Sequence, residues 1–435
     1  MTTVSLLVIV IAVGGIAVYS YLDLTRGIHR SNIAMPTGQP VPAVVAPTVG
    51  PAASALAPVT PTAAGVPQND GSTNTLIMGL DSRLDENGNP LPAATYNALH
   101  AGNQDGGGYN SNVLMLIHIP AGGRHAVGIS IPRDDWAPLV GAPDGQSMGK
   151  IKQAYGFELA QDLRQLHATE PNLTAAQAYQ QARDAGRKEE VDTVSQFLGG
   201  VPINHFIEVT MAAFYELAVA VQPITVCLNE ATSDHYSGAD FKAGYQQLSA
   251  AQAVAFVRQR RDTSNSKVQL TDLDRERRQQ AFITSLAFQL RHASVFTNFG
   301  LLRTLIDTAK QNIAIDSGLD LLSFASDADR FAGGGITFHT LPITAFGTKD
   351  GQDVNLVDPA RIQALTAQLI AASNASPTAA AAAAAAAKAA PTPPHSSTSG
   401  PKPTTASRLP TSTRPSNVYT NPFQPLTSGQ IPCVN

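Results

Sequence analysis

Cysteine is scarce in this chain. Of 435 residues only Cys227 and Cys433 carry a thiol, which excludes a disulfide-built scaffold and a cysteine-rich zinc site. The pair is left with two states, one disulfide or two free thiols. Charge is sparse as well: Asp, Glu, Lys and Arg make up 14% of the residues, and 33 acids against 29 Lys and Arg give a net charge of -4. An acidic protein with thinly spread cations is not a general polyanion binder, so nucleic acid is excluded as a partner. Also absent are GxxxxGK[ST], HExxH, GxSxG and CxxC. The ten histidines are scattered, and His118 and His205 fall on apolar runs where a histidine is a core residue before it is a ligand.

A long uncharged run that is also hydrophobic is present once. Residues 4–22, VSLLVIVIAVGGIAVYSYL, hold no charge and, at about 1.5 Å per residue, reach across a bilayer core of about 30 Å. No basic segment precedes them and no small-x-small cleavage site comes closely after, so they are read as an uncleaved membrane anchor. Arg26 and Arg30 lie just beyond the span, which by the positive-inside rule would keep the remainder in the cytoplasm. A long domain translocates largely regardless of nearby charge, and a reading frame longer at its start would supply a basic cytoplasmic end. The expectation is a single-pass protein of the cell membrane with its main domain extracytoplasmic.

Composition divides the chain on either side of the span. Residues 1–3 form a short cytoplasmic end, and 23–73 a Pro- and Ala-rich linker without periodicity, in keeping with an extended spacer. Residues 74–372 are read as the main folded domain. Residues 373–435 pass through an Ala run into Pro, Thr and Ser and end in NPFQPLTSGQIPCVN, whose Phe423, Leu426, Ile431 and Cys433 suit docking.

Within 74–372, β-rich apolar runs at 75–79, 113–119, 125–131, 206–209, 224–228 and 336–341 alternate with helical stretches. Residues 159–198 read as helix broken at Pro171 and restarted with Thr174 as cap; Ser249 and Gln252 form a capping box; 274–291 is a further helix with a Phe282, Leu286, Leu290 stripe. Interleaved strands and helices of these lengths argue for a layered α/β domain with helices on both sheet faces.

Arginines stand out against the acidic background: Arg83 in GLDSR, Arg133 in SIPRDD, Arg258 and Arg260 in FVRQRR, Arg275 and Arg278 in DLDRERRQQ. Guanidinium is planar, always charged and forks onto phosphate oxygens, so gathered arginines make a cage for a phosphate or pyrophosphate. Asp81 and Arg133 each come after an apolar run at a strand's C-terminal end, where open α/β sheets place ligands. Taken singly, each is also explained by an ion pair or a solvated helix end.

In order and context these stretches resemble the LytR-CpsA-Psr cell-wall ligases. LIMGLDSR, GGYNSNVLMLIHI, GISIPRDDW, GKIKQAYGFE, INHFIEVTMAAFYELAVAVQPITVCL, LSAAQAVAFVRQRR and DLDRERRQQAFI carry the likeness in family order. GGGYNSN, the insertion at 159–190 and the closing IPCVN resemble the mycobacterial and related actinobacterial branch.

The resemblance implies a three-layer α/β/α sandwich around a central mixed sheet, with an apolar pocket for a polyprenyl tail. It also implies a phosphotransferase that moves a glycan 1-phosphate, here arabinogalactan, from a polyprenyl-pyrophosphate carrier to peptidoglycan, with pyrophosphatase as a side activity. A non-catalytic scaffold that binds polyprenyl pyrophosphate or wall glycan is the alternative. By motif, Asp81 and Arg133 would be catalytic; Arg83, Arg133, Arg258, Arg260, Arg275, Arg278 and Gln279 would bind pyrophosphate; Asp81 and Asn112 would hold Mg²⁺ or Mn²⁺. Many family members carry Arg-x-Asp where this chain has Asn110, Ser111 and Asn112, so one anionic ligand is lost and Asp105 is the candidate to compensate.

Overall fold

The computed structural model describes residues 28–38, 71–104, 107–122, 125–264, 269–292, 307, 312–320, 331–375 and 417–435. The expected anchor at 4–22 and Asp105 lie outside them. Among the described residues no helix is long and apolar enough to cross a membrane.

Strands in chain order are β1 (His29–Ser31), β2 (Thr73–Leu80), β3 (Ser111–Ile119), β4 (Ala126–Ser130), β5 (Trp136–Pro138), β6 (Met148–Lys150), β7 (His205–Thr210), β8 (Ile224–Leu228) and β9 (Thr232–Asp234). Next come β10 (Ala239–Phe241), β11 (Gly244–Leu248), β12 (Ile313–Asp316), β13 (Ile336–Thr340), β14 (Ala345–Lys349), β15 (Gln352–Leu356), β16 (Leu426–Thr427) and β17 (Cys433–Val434). The α-helices are α1 (Ala93–Ala98), α2 (Ala154–Thr169), α3 (Ala175–Phe197), α4 (Met211–Val221), α5 (Ala250–Arg258), α6 (Asp272–His292) and α7 (Pro359–Asn374).

The central sheet is mixed and eight-stranded, in the order β1-β12-β7-β2-β3-β4-β13-β16. Two-residue alternation divides its side chains between two cores. Leu76, Met78, Leu114, Leu116, Val127 and Ile129 pack with Val191, Val194 and Phe197 of α3 and Ile362 and Ile370 of α7. Met115, Ile117, Ile119, Ile336 and Phe338 pack instead with Ala218 of α4, Phe256 of α5 and Phe282 of α6. Helices therefore cover both faces, as the strand and helix pattern requires.

Local chemistry sets the boundaries. Thr174 accepts from the Gln177 amide at 3.2 Å and Ser249 from the Gln252 amide at 3.4 Å, while each glutamine side chain bonds back to its cap. His118 is buried between Asn74 at 2.7 Å and Asn374 at 3.0 Å, and His205 bonds Asp316 at 3.0 Å, so both are core or edge residues.

The fold also takes in segments that composition assigns elsewhere. His29–Ser31, in the stretch read as linker, pairs in parallel with β12, and Ile28 packs on Ile315 and Leu319. Three residues are too few to show a period. At the other end, β16 joins β13, β17 lies parallel to β8, and Tyr419, Leu426 and Val434 enter the core. Cys433 sits opposite Cys227 in that pairing and the two are disulfide-bonded. Phe423, by contrast, stays on the surface, 37% exposed.

Candidate phosphate site

Sheet topology brings three sequence segments to one end. β2 ends there with Asp81 next in the chain; β3, antiparallel to β2, starts there with Asn112; β4, antiparallel to β3, again ends there, just before Arg133. A register shift between Gly79 and Leu80 re-aims the chain just before Asp81. Gly79 itself has no room for a side chain, since a Cβ would lie 2.8 Å from that of Val113. The first turn of α6 adds Asp272 and Arg275.

These residues form one network. Arg133 donates from Nε and Nη2 to the two oxygens of Asp272, each at 3.1 Å, and from Nη1 to the side-chain oxygen of Asn112. Arg275 Nη2 reaches Asp272 at 2.9 Å and the Asn112 carbonyl at 3.3 Å. Lys152 and Lys150 lie 2.6 and 3.5 Å from Asp134, which is 3.7 Å from Arg133 Nε.

Charge and burial compete throughout. Burial raises the Asp272 carboxyl, but Arg275 and Arg133 hold it down at about 2. Burial lowers Arg133 while Asp272 and Asp134 raise it, with a net rise; for Arg275 burial wins, to about 10. Lys152 is drawn down to about 8 by burial and the neighbouring Arg133. Behind them Glu276 is 5% exposed, neither carboxylate oxygen has a hydrogen-bond partner, and burial with the nearby Asp272 charge pushes it up to about 8.

Asp81 and Arg83 flank this network. They are 3.7 Å apart, and the Asp81 backbone bonds Asn110 at 3.1 Å and Gly108 at 3.3 Å. Gly107, at φ +107°, lets the loop pass Arg83, whose Cγ a Cβ would approach to 2.7 Å. Arg258 donates to the Leu99 carbonyl; burial lowers its pKa against the pull of Asp81. Arg260 is exposed and still contributes to holding Asp272 ionised. The buried Nε groups of Arg83 and Arg275 have no hydrogen-bond partner, so donors remain unspent on both sides of the cluster.

Two expected residues stand apart. Arg278 is fully buried and donates to Asn435 O at 2.6 Å, Gln259 Oε1 at 2.6 Å and Thr232 Oγ1 at 3.1 Å, with the Phe256 ring centroid 5.2 Å away. Its guanidinium is used in tying α6 to α5, β9 and the tail. Gln279 is half-buried and reaches the Val257 carbonyl at 3.4 Å.

Sequence reasoning passes over Asp134, Lys150, Lys152, Asp272 and Glu276. Their signals are present in PRDD, GKIK and DLDRE, but charges beside arginines read as surface pairs until burial is known.

A divalent cation finds limited ligation here. Among the described residues no group of three or more His, Cys, Asp or Glu could hold a metal. The Asn112 side-chain oxygen already accepts from Arg133, so an ion there would face a guanidinium. Of the expected ligands Asp81 is the carboxylate, so a Mg²⁺ or Mn²⁺ ion would have one protein anion here and would need its remaining oxygens from elsewhere.

The fold and the site define an α/β protein with arginines and carboxylates gathered at one end of its sheet. The chain matches the LytR_cpsA_psr family model over residues 50–371 and belongs to that family. It is 35% identical over 311 residues to the cell wall biosynthesis protein LcpA of Corynebacterium glutamicum, covering 71% of this chain and 57% of the relative. It is 25% identical over 261 residues to the polyisoprenyl-teichoic acid–peptidoglycan teichoic acid transferase TagU of Bacillus licheniformis, covering 60% of this chain and 66% of that one. The chain thus spans less than two thirds of the length of either curated relative. Among solved structures it resembles a LytR-Csp2A-Psr enzyme from Actinomyces oris at 19% identity and TM-score 0.48, covering 79% of this chain and 95% of that one.

Proposed function

We propose that the chain is a membrane-anchored, extracytoplasmic phosphotransferase. It transfers a glycan 1-phosphate from a polyprenyl-pyrophosphate carrier to a peptidoglycan hydroxyl. The observation that carries this reading is the Arg133–Asp272–Arg275 cluster beside Asp81, with guanidinium Nε groups of Arg83 and Arg275 unspent. Phosphoryl transfer asks a protein mainly for positioning and for neutralising spread charge, which is what gathered arginines do. The transferase activity named for TagU and the wall-biosynthesis name of LcpA support the same class. Likeness to a corynebacterial relative favours an actinobacterial wall polymer, for which we propose arabinogalactan.

In the reaction the acceptor oxygen bonds to the glycan-bearing phosphorus, the bridging P–O bond breaks, polyprenyl phosphate leaves, and the acceptor hydroxyl proton passes to solvent. Water in place of the hydroxyl would give the pyrophosphatase side activity. Arg133 and Arg275 hold the pyrophosphate oxygens, and Arg83 and Arg258 close the Asp81 side. A bound Mg²⁺ or Mn²⁺, with Asp81 as its protein ligand, would supply further neutralisation of phosphate charge.

One observation favours the second reading, a non-catalytic binder of lipid pyrophosphate: Asn112 stands where an acid is common and its oxygen is engaged by Arg133. Polyprenyl phosphate release separates the two. The full chain, given a lipid-linked glycan pyrophosphate, peptidoglycan and Mg²⁺, should release it, and Asp81→Ala should not. Binding without release in the unsubstituted protein would leave the scaffold reading standing.

A further inference from the structure

Asp134 and Asp272, whose carboxylates hold Arg133, also line a cleft of about 350 Å³. Its other wall is the β14–β15 hairpin, through Phe346, Thr348, Asp353 and Asn355. In the hairpin register Phe346 faces Asn355 and Thr348 faces Asp353, so alternation puts these four on one face. Phe346 is 61% exposed: a large aromatic ring is left uncovered beside carboxylates.

The lining narrows what can enter. On the hairpin side a second phosphate would meet Asp353 and no lysine or arginine among the lining residues, and the cations behind Asp134 and Asp272 are already paired with them. A prenyl chain would have to desolvate the same acids. A metal ion lacks its cage, since among the described residues no three acidic or histidine groups are set to hold one. A neutral sugar ring fits, because its C–H face stacks on an aromatic ring and its hydroxyls donate to carboxylates.

We propose that this cleft is the acceptor subsite and takes the hydroxyl-rich glycan strand of peptidoglycan. The proposal rests on the transferase reading of the arginine cluster. Asp272 belongs to both the cleft and that cluster, so a hydroxyl bound here lies next to the site where phosphorus would sit. Carboxylates at the junction suit an acceptor, which brings an O–H to donate. The donor's glycosyl oxygen is already esterified and brings none.

The test is calorimetric titration of the full chain in detergent with two probes: phosphate-free peptidoglycan glycan strands whose muramyl carboxyls are amidated and so uncharged, and geranylgeranyl pyrophosphate. The unsubstituted protein should bind both. Phe346→Ala should weaken glycan binding by about tenfold, as loss of an aromatic anchor does, and leave pyrophosphate affinity within about twofold. Asp353→Asn, on the same exposed hairpin, should weaken glycan binding several-fold. Absence of glycan binding, or glycan affinity unchanged in both variants, would overturn the proposal. So would a Phe346→Ala effect seen only with a sugar-bearing lipid pyrophosphate, which would give the cleft to the donor's glycan. Loss of pyrophosphate binding with glycan binding intact would instead count against the transferase reading, while the cleft would remain a glycan site.

Discussion

Asp272 accepts from both Nε and Nη2 of Arg133 at 3.1 Å, and the same carboxylate takes Nη2 of Arg275 at 2.9 Å. Two guanidiniums that would repel each other are thereby held side by side in a buried setting. Asp272→Asn keeps the shape and removes the charge. Because breaking a buried ion pair typically costs about 3–5 kcal/mol, the variant should show a clearly lower urea midpoint. Unchanged stability would mean that solvent, rather than Asp272, compensates the arginines.

A second expectation concerns pH. Burial and the Asp272 charge raise Glu276 from 4.5 to about 8 in the folded protein, so between those values the folded state holds a proton that the unfolded chain has released. Its contribution to stability is therefore present below about pH 4.5 and lost as pH rises towards 8. Asp272 runs the other way: depressed from 3.8 to about 2, it stabilises above pH 3.8 and that gain disappears as pH falls through 2. Glu276→Gln should flatten the decline in urea midpoint between pH 5 and 8 relative to the unsubstituted protein. Parallel curves for the two proteins would refute the assignment.

Much of the fold is legible in the sequence, for identifiable reasons. The strands at Thr73–Leu80 and Ser111–Ile119 are long apolar runs, and the helices at Ala175–Phe197 and Ala250–Arg258 open with explicit capping residues. The short edge strand His29–Ser31 and the hairpin strands β14 and β15 carry no such signal, since they are brief or exposed. In the site, spacing marks Asp81 and Arg133 but not Asp272, because whether Asp272 neutralises Arg275 on a surface or in a buried cluster depends on contacts with β3 and β4. The same limit applies to Arg183 and Arg187. They lie in the insertion read simply as helix, yet are wholly buried against Glu86 and Glu208, tying α3 to the loop after Asp81 and to β7.

The disulfide offers a third test. Cys227–Cys433 closes a separation of 206 residues and fixes β17 beside β8, while Arg277 donates to Pro422 O at 2.6 Å and to the Asn421 and Gln424 carbonyls. Cys433→Ser should lower stability by about 2–5 kcal/mol, as loss of a native disulfide commonly does, and a reductant should lower the unsubstituted protein's thermal midpoint to match. If reductant changes nothing while the thiols become titratable, the tail is held by its hydrogen bonds and core contacts instead.

The fourth prediction separates two arginines that sequence places in one role. Every nitrogen of Arg278 donates to a protein oxygen, and the chain buries it completely. Reaching a phosphate would require abandoning Gln259, Thr232 and Asn435, each then left unsatisfied at about 1–3 kcal/mol apiece. Arg278→Gln should therefore lower the thermal midpoint by several degrees while the folded protein keeps its affinity for geranylgeranyl pyrophosphate. Arg133 also donates from all three nitrogens, but at the sheet end beside Asp81, so the two arginines should differ in affinity rather than in stability. Arg133→Lys keeps a charge beside Asp272 but loses the planar fork and its bonds to Asp272 and Asn112, so stability should fall as well, and pyrophosphate affinity by about tenfold. Equal losses of affinity in the two variants would return Arg278 to the phosphate cage and would require α6 to release the tail when substrate binds.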